Sequence, residues 1–218
     1  MPHASPDIPS AIRLDGAVRI AATHTTVGAP ATLERASAIF AGHHAIALVD
    51  ALDPALLGTL TTLVRANRFE VDEEYRRIGL RATEVGDRVG AALRLVLDRP
   101  ALRDWAAAMA GCEPLTHVTG LITQMRPGAD DVIGWHDDCN IATRRIATIV
   151  HLSDGPFTGG AFEMGAKADG AVRLRVGYAP AGTILLFRVS PALRHRVTAV
   201  EGGAVRRVFA GWLNTATA

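Results

Sequence analysis

From Leu115 onward the chain is written as short apolar, β-branched runs separated by turn residues, a pattern that commits this half to strands. Residues 145–152 (Arg-Ile-Ala-Thr-Ile-Val-His-Leu) form one run, 183–187 (Thr-Ile-Leu-Leu-Phe) another and 195–200 (His-Arg-Val-Thr-Ala-Val) a third, with Gly159-Gly160 and Pro180-Ala181-Gly182 between them. The first half reads differently. Residues 32–41 suit a helix, and 44–49 (His-Ala-Ile-Ala-Leu-Val) a buried strand. Asp53-Pro54 marks a helix start, with Asp53 as N-cap and Pro54 at the first helical position, ahead of an apolar stripe of Leu56, Leu57, Leu60, Leu63 and Val64. Residues 87–97 and 100–109 are also helical in pattern, with Leu93, Val96, Leu97, Leu102 and Trp105 as packing residues. Up to residue 30, Pro2, Pro6, Pro9 and Gly28 break any amphipathic period, which predicts a partly ordered arm (1–30) with a short strand within 17–22. The order predicts an α+β, mainly β, fold: a single domain over 31–218, with helical support at 31–114 packed outside a β-rich core at 115–213.

Composition narrows the classes. A chain of 218 residues can bury a substantial core. Its formal net charge is +1, with basic residues scattered rather than clustered, which argues against nucleic acid as a partner. No run of about eighteen apolar residues predicts a membrane span, and residues 1–10 are polar and Pro-rich, unlike a secretory leader. Cys112 and Cys139 form no CxxC pair and fit a reducing cytosol, so the expected location is cytoplasmic. Gly159-Gly160 is followed by no Gly-Lys-Ser/Thr, so it reads as a turn or bulge rather than a phosphate cradle.

Chemistry concentrates in Trp135-His136-Asp137-Asp138, followed by His195 and then Arg206. On an extended strand His136 and Asp138 share a face and Asp137 takes the other, so one strand offers two ligands and the strand opening at His195 a third. Two imidazoles and one carboxylate on one face leave positions open around a metal, the arrangement that suits non-haem Fe(II) oxygenases. Taken singly, these residues also read as a solvated turn after Gly134 and a surface histidine. The same three ligands serve zinc hydrolases, although no general base stands beside the motif. His3, His24, His43, His44 and His117 have no partner spacing and read as structural.

The ordered set of His136-Asp137-Asp138, the 145–152 run, Gly159-Gly160-Ala161-Phe162-Glu163, 180–187, 195–200, Arg206 and Trp212 resembles the 2-oxoglutarate/Fe(II) oxygenase superfamily, in its prolyl-4-hydroxylase-like branch, over residues 116–213. The resemblance implies a double-stranded β-helix (jelly-roll, cupin-like) barrel. It implies that His136, Asp138 and His195 hold Fe(II), that O2 and 2-oxoglutarate are consumed, and that ascorbate serves as reductant in vitro. Arg206 then pairs with the distal carboxylate of 2-oxoglutarate, for which a guanidinium fork is suited. Arg206, Val208, Ala210 and Trp212 share a strand face, which lets Arg206 look inward while Arg207 faces out. The presence of Asp138 favours hydroxylation, because halogenases of the superfamily lack that carboxylate, and leaves desaturation and ring chemistry open.

Three features depart from the family pattern. His151 stands where a tyrosine commonly helps hold the cosubstrate, and reads either as that contact or as a core histidine. Met125 replaces another tyrosine, and the adjacent Arg126 becomes a candidate substrate contact if it points inward. The stretch from His195 to Arg206 runs long through Gly202-Gly203, as a looser turn would. The polar segment 69–81, with Arg76 and Arg77, reads either as a solvated loop or as part of the substrate lid that the resemblance implies. The expected activity is hydroxylation of a polar small molecule such as a free or modified amino acid, by a monomer or homodimer. The alternatives are a peptidyl (prolyl-type) hydroxylase and a non-catalytic metal- or 2-oxoglutarate-binding cupin-like protein.

Overall fold

A computed structural model of the protein describes residues 6–73 and 78–217. After a 3-10 turn at Ser10–Ile12 come β1 (Arg13–Asp15), β2 (Val18–Ile20), β3 (Thr25–Val27), α1 (Pro30–His43), β4 (Ala45–Val49), α2 (Pro54–Ala66), β5 (Phe69–Val71) and β6 (Ala82–Glu84). Then follow α3 (Arg88–Leu97), α4 (Pro100–Ala110), β7 (Leu115–Met125), β8 (Ile133–His136), β9 (Arg144–His151), β10 (Phe157–Gly159), β11 (Phe162–Ala166) and β12 (Val172–Val176). The chain closes with β13 (Ile184–Arg188), β14 (Leu193–Val197), β15 (Val200–Gly203) and β16 (Arg206–Thr215).

The strands make a mixed eight-stranded sheet in the order β1-β4-β13-β9-β16-β7-β6-β5 and a four-stranded sheet β12-β11-β14-β8, joined by the short pairs β10-β15 and β2-β3. This is the double-stranded β-helix arrangement, with two facing sheets that do not close into a barrel. Within the segment read as an arm, β1 lies parallel to β4 at the edge of the large sheet and β2 pairs antiparallel with β3. Gly202 and Gly203, expected in a loose turn, belong instead to β15 and pair with Thr158 and Phe157. The extra length there is strand, and an added Cβ on Gly203 would meet Pro156 O at 2.5 Å.

Period-two alternation sorts the large sheet into two faces. Ile184 and Leu186 of β13, with Ile146 and Val150 of β9, pack under the helices against Phe40, Leu60, Leu93, Trp105 and Met109. Their neighbours Leu185 and Phe187, with Ala147 and Ile149, face the small sheet and meet Phe162, Met164, Leu174 and Val176. Each of these larger side chains, fully buried, contributes about 1.5–3 kcal/mol, so a one-residue slip in β9 or β13 would exchange both layers at once.

Helix starts follow local chemistry. Asp53 caps α2 by accepting from the Ala55 N–H at 3.0 Å, and Pro54 takes the first helical position; such a cap contributes about 1 kcal/mol. At α3 the preceding Asp87 makes no capping bond. Glu84 on β6 accepts from the Val89 and Gly90 N–H groups at 2.7 and 2.9 Å instead, tying the helix to the sheet edge.

Candidate active site

β8 and β14 pair so that His136 lies directly opposite His195, and their rings stand 4.1 Å apart between centroids. Strand β8 ends at His136. Asp138 is therefore not the next inward residue of an extended strand; its backbone has turned to φ 61, in the left-handed region. Asp tolerates that region better than most residues, and such backbone strain is found where surrounding contacts hold it. The turn swings the carboxylate back between the imidazoles: Oδ1 is 3.6 Å from His136 Nε2 and Oδ2 is 3.3 Å from His195 Nε2. Ligand atoms at right angles around an ion with bonds of about 2.1 Å are about 3 Å apart, so the three groups, whose donor atoms all lie within 4.8 Å of one another, can close on one metal.

The tautomer agrees. Nδ1–H of His136 donates to the Gly134 carbonyl at 2.8 Å, which leaves the Nε2 lone pair turned toward Asp138. Burial above all, then the charge of His195, holds His136 below its ordinary 6.5, against the opposing pull of Asp138 and the Gly134 bond; Arg81 adds to the depression. A neutral imidazole is the ligating form. For Asp138 burial pushes upward, but its hydrogen bond with His195, the charges of both histidines and the Trp212 hydrogen bond outweigh it and bring the carboxyl to about 2.

Residues far along the chain hold Asp138 in place. Trp212 on β16 donates its indole N–H to Oδ2 at 2.9 Å. The Arg144 guanidinium lies 3.6 Å over the Trp212 ring and donates to the Asp138 carbonyl at 3.4 Å. The triad opens on a pocket of about 420 Å³, counted out to its open mouth. Its walls are mostly apolar, from Ile133, Phe162, Phe187, Val197 and Trp212, and Arg81 is its one arginine.

Arg206 does not line that pocket; it lies further along the same inner face of β16, four residues before Ala210, which does. It is 2% exposed, and its Nη1 points at Met125 Sδ, 3.8 Å away. Among the described residues no carboxylate pairs with it, and its Nε has no partner. Burial lowers its pKa to about 10. Two more orphaned polar side chains share this face: both ring nitrogens of His151 and the hydroxyl of Thr183, residues that sit opposite each other at the β9–β13 junction. Burial, with Arg206 secondary, lowers His151 to about 3, so it is neutral. A buried cation beside unpaired donors is costly unless an anion meets it. The donor set therefore fits the distal carboxylate of a bound diacid. Gly160 makes room for Arg206: an added Cβ would stand 3.0 Å from its Cδ and 3.0 Å from Val200.

Other sequence-read positions fall elsewhere. Met125, not Arg126, faces inward; Arg126 is exposed, and its backbone N–H and Nε face Asp131 at 2.8 and 3.6 Å. Arg76 and Arg77 lie outside the described residues. Asp137 turns away from the triad to an ion pair with Lys167 and caps the Cys139 N–H. The supports Arg144, Trp212 and Thr183 carry no local motif that assigns them a role. Only the inward parity of Trp212 with Arg206 was a usable signal.

Residues 121–214 match the family described as the 2OG-Fe(II) oxygenase superfamily. No curated protein matches the sequence. Among solved structures, a prolyl-4-hydroxylase from Pseudomonas putida is similar at 17% identity and TM-score 0.63, over 84% of this chain and 99% of that one. A prolyl hydroxylase from Trichoplax adhaerens, solved in complex with a hypoxia inducible factor oxygen degradation domain peptide fragment, is similar at 17% identity and TM-score 0.59, over 86% and 94%. The non-heme α-ketoglutarate-dependent epimerase SnoN of nogalamycin biosynthesis is similar at 18% identity and TM-score 0.60, over 85% and 82%. The family match over the strand-rich half, on a fold that such oxygenases share, supports a dioxygenase that uses Fe(II), 2-oxoglutarate and O2.

Proposed function

We propose that this chain, a 2OG-Fe(II) oxygenase by the match of its strand-rich half, hydroxylates an unactivated C–H bond of a polar small molecule such as a free or modified amino acid, with succinate and CO2 as coproducts. His136, Asp138 and His195 hold the metal, and Arg206 with His151 receives the distal carboxylate of 2-oxoglutarate. Bound Fe(II) and 2-oxoglutarate supply oxygen activation coupled to decarboxylation. The chain's own contribution is position and shielding. Trp212 and Arg144 keep the Asp138 carboxylate aimed at the two imidazoles, and Gly134 keeps His136 in its ligating tautomer. Phe162 and Phe187, whose rings stand 5.7 and 4.7 Å from that of His195, exclude water from its far side.

The observation that carries this reading is a buried arginine with no carboxylate partner among the described residues, on the inner face of the large sheet, with a three-ligand His-Asp-His set on the small sheet that faces it. A non-catalytic cupin-like protein has little use for that pairing. The small, mostly apolar pocket beside the triad suits a small molecule, and the two free cysteines suit a reducing compartment such as the cytoplasm. The prolyl hydroxylases among the similar structures favour a second reading, a peptidyl prolyl hydroxylase with the same ligands.

The test is succinate formation by anaerobically purified protein given Fe(II), ascorbate and 2-oxoglutarate, then air. Turnover lost in both His136→Ala and Arg206→Ala supports the dioxygenase, and absence of turnover together with absence of metal-dependent 2-oxoglutarate binding refutes it. Stimulation by proline-containing peptides but not by free amino acids selects the peptidyl reading.

A further inference from the structure

Arg81 is the one arginine in the pocket that holds the triad, and the metal-site reading above gives it no task. It stands one residue before β6, the last strand but one of the large sheet, with its side chain 7% exposed. Two sets of contacts fix it. Its Nε and Nη2 both reach Asp72 Oδ2, at 3.3 and 3.1 Å, and the Asp72 N–H donates to its carbonyl at 3.0 Å. The residues just before it are seamed to the metal-site strand. Leu80 N–H donates to Val132 O at 2.7 Å, Gly134 N–H donates to Ile78 O at 2.6 Å, and Gly79 bridges Ile133. The approach at that seam demands glycine, since a Cβ on Gly79 would fall 1.8 Å from Val132 O. The guanidinium is thus referenced to the strand that ends in His136.

The β6–β7 register continues past Ala82↔Gln124 to set Arg81 beside Met125, while Met125 pairs on its other side with Arg206. Two buried arginines therefore flank Met125, but only Arg81 opens on the triad pocket. Around it the pocket offers a substrate dispersion contacts from Ile133, Phe162, Phe187, Val197 and Trp212, beside the His136, Asp138 and His195 set. A rigid fork of N–H donors in a mostly apolar pocket is a carboxylate-recognition device, and its strength grows as water is excluded.

We propose that Arg81 binds a carboxylate of the primary substrate, so that the enzyme acts on small acids whose apolar body lies against Phe162 and Trp212, leaving Arg206 to the cosubstrate. This rests on the dioxygenase reading and assigns the substrate class within it.

The experiment is calorimetric titration of the full chain loaded with Mn(II) and 2-oxoglutarate, which binds without turning over. The probes are L-leucine, L-proline, isovalerate and 3-phenylpropanoate, each against its primary amide. At least one acid is expected to bind about tenfold or more tighter than its amide. Arg81→Met removes that preference while 2-oxoglutarate affinity stays within about threefold. Should circular dichroism show Arg81→Met unfolded, Arg81→Lys is read instead, with the preference reduced but not abolished. No acid preferred over its amide by the wild type, or a preference that survives Arg81→Met, overturns the proposal. Loss of 2-oxoglutarate binding in Arg81→Met also overturns it, by giving Arg81 to the cosubstrate. A wild type with no metal-dependent 2-oxoglutarate binding fails at the earlier step and refutes the dioxygenase reading itself.

Discussion

Replacing Arg206 with leucine is expected to stabilise the metal-free protein and at the same time to abolish its response to 2-oxoglutarate. Burial lowers the Arg206 pKa from 12.5 to about 10. At neutral pH the group is charged in both folded and unfolded chains. The depressed folded value therefore means that the charge disfavours the fold, by about 3 kcal/mol at roughly 1.4 kcal/mol per pH unit. Leucine removes this penalty and loses part of the packing that the Arg206 stem makes with Met125 and Gly160, a loss of about 1–2 kcal/mol. The net gain is about 1–2 kcal/mol, and at about 2–4 °C per kcal/mol for a chain of this size the melt rises by roughly 2–8 °C. In the second arm, Mn(II) with 2-oxoglutarate at about one hundred times its Kd stabilises the wild type by about 2.7 kcal/mol and leaves Arg206→Leu unchanged. The assay is a thermal melt of chelator-treated protein before and after loading. An Arg206→Leu protein that melts well below the wild type, or that is still stabilised by 2-oxoglutarate, refutes the view that this arginine waits for an anion.

Trp212→Phe removes the indole bond to Asp138, so metal affinity falls about 10–100-fold with little change in the unloaded melt; metal titration followed by tryptophan-independent calorimetry reads it. His151 is held neutral by burial, with a folded pKa of about 3 against an ordinary 6.5. As pH falls below 6.5 the unfolded chain gains a proton that the folded one refuses, and stability drops by up to about 1.4 kcal/mol per pH unit until about pH 3. His151→Phe flattens that acid limb in melts taken across pH. Gly160→Ala puts a Cβ against Arg206 Cδ at φ 56 and is expected to destabilise by about 1–3 kcal/mol and to weaken 2-oxoglutarate binding, seen by denaturant titration and calorimetry. Chelation of the metal abolishes succinate formation, and added Fe(II) restores it, whereas Zn(II) does not.

Much of the architecture was legible because periodicity is a local property. The helix start at Asp53-Pro54 depends on three consecutive residues, and the two-faced character of 145–152 and 183–187 depends on alternation alone. The ordered strands could be matched to a family for the same reason, and residues 121–214 carry that match. Contacts between distant segments were hidden. Nothing near Arg13 announces that β1 will run parallel to β4, because the partner strand supplies the reason for it. Gly202-Gly203 has turn composition, yet β10 recruits it into a strand.

The site divides the same way. His136, Asp138, His195 and Arg206 were visible as residue types at particular spacings, and alternation along the last strand turned Arg206 inward before any contact was known. Folding chose how Asp138 reaches the histidines: through a left-handed turn after the strand has ended, stabilised by Trp212 and Arg144, rather than by strand alternation. It also chose Met125 over Arg126 as the inward residue and brought Arg81 to the triad across a glycine seam. A ligand's identity is written in its own side chain. Its direction, partners and charge environment belong to segments tens of residues away, which meet only when burial of the two sheets' apolar faces brings them together.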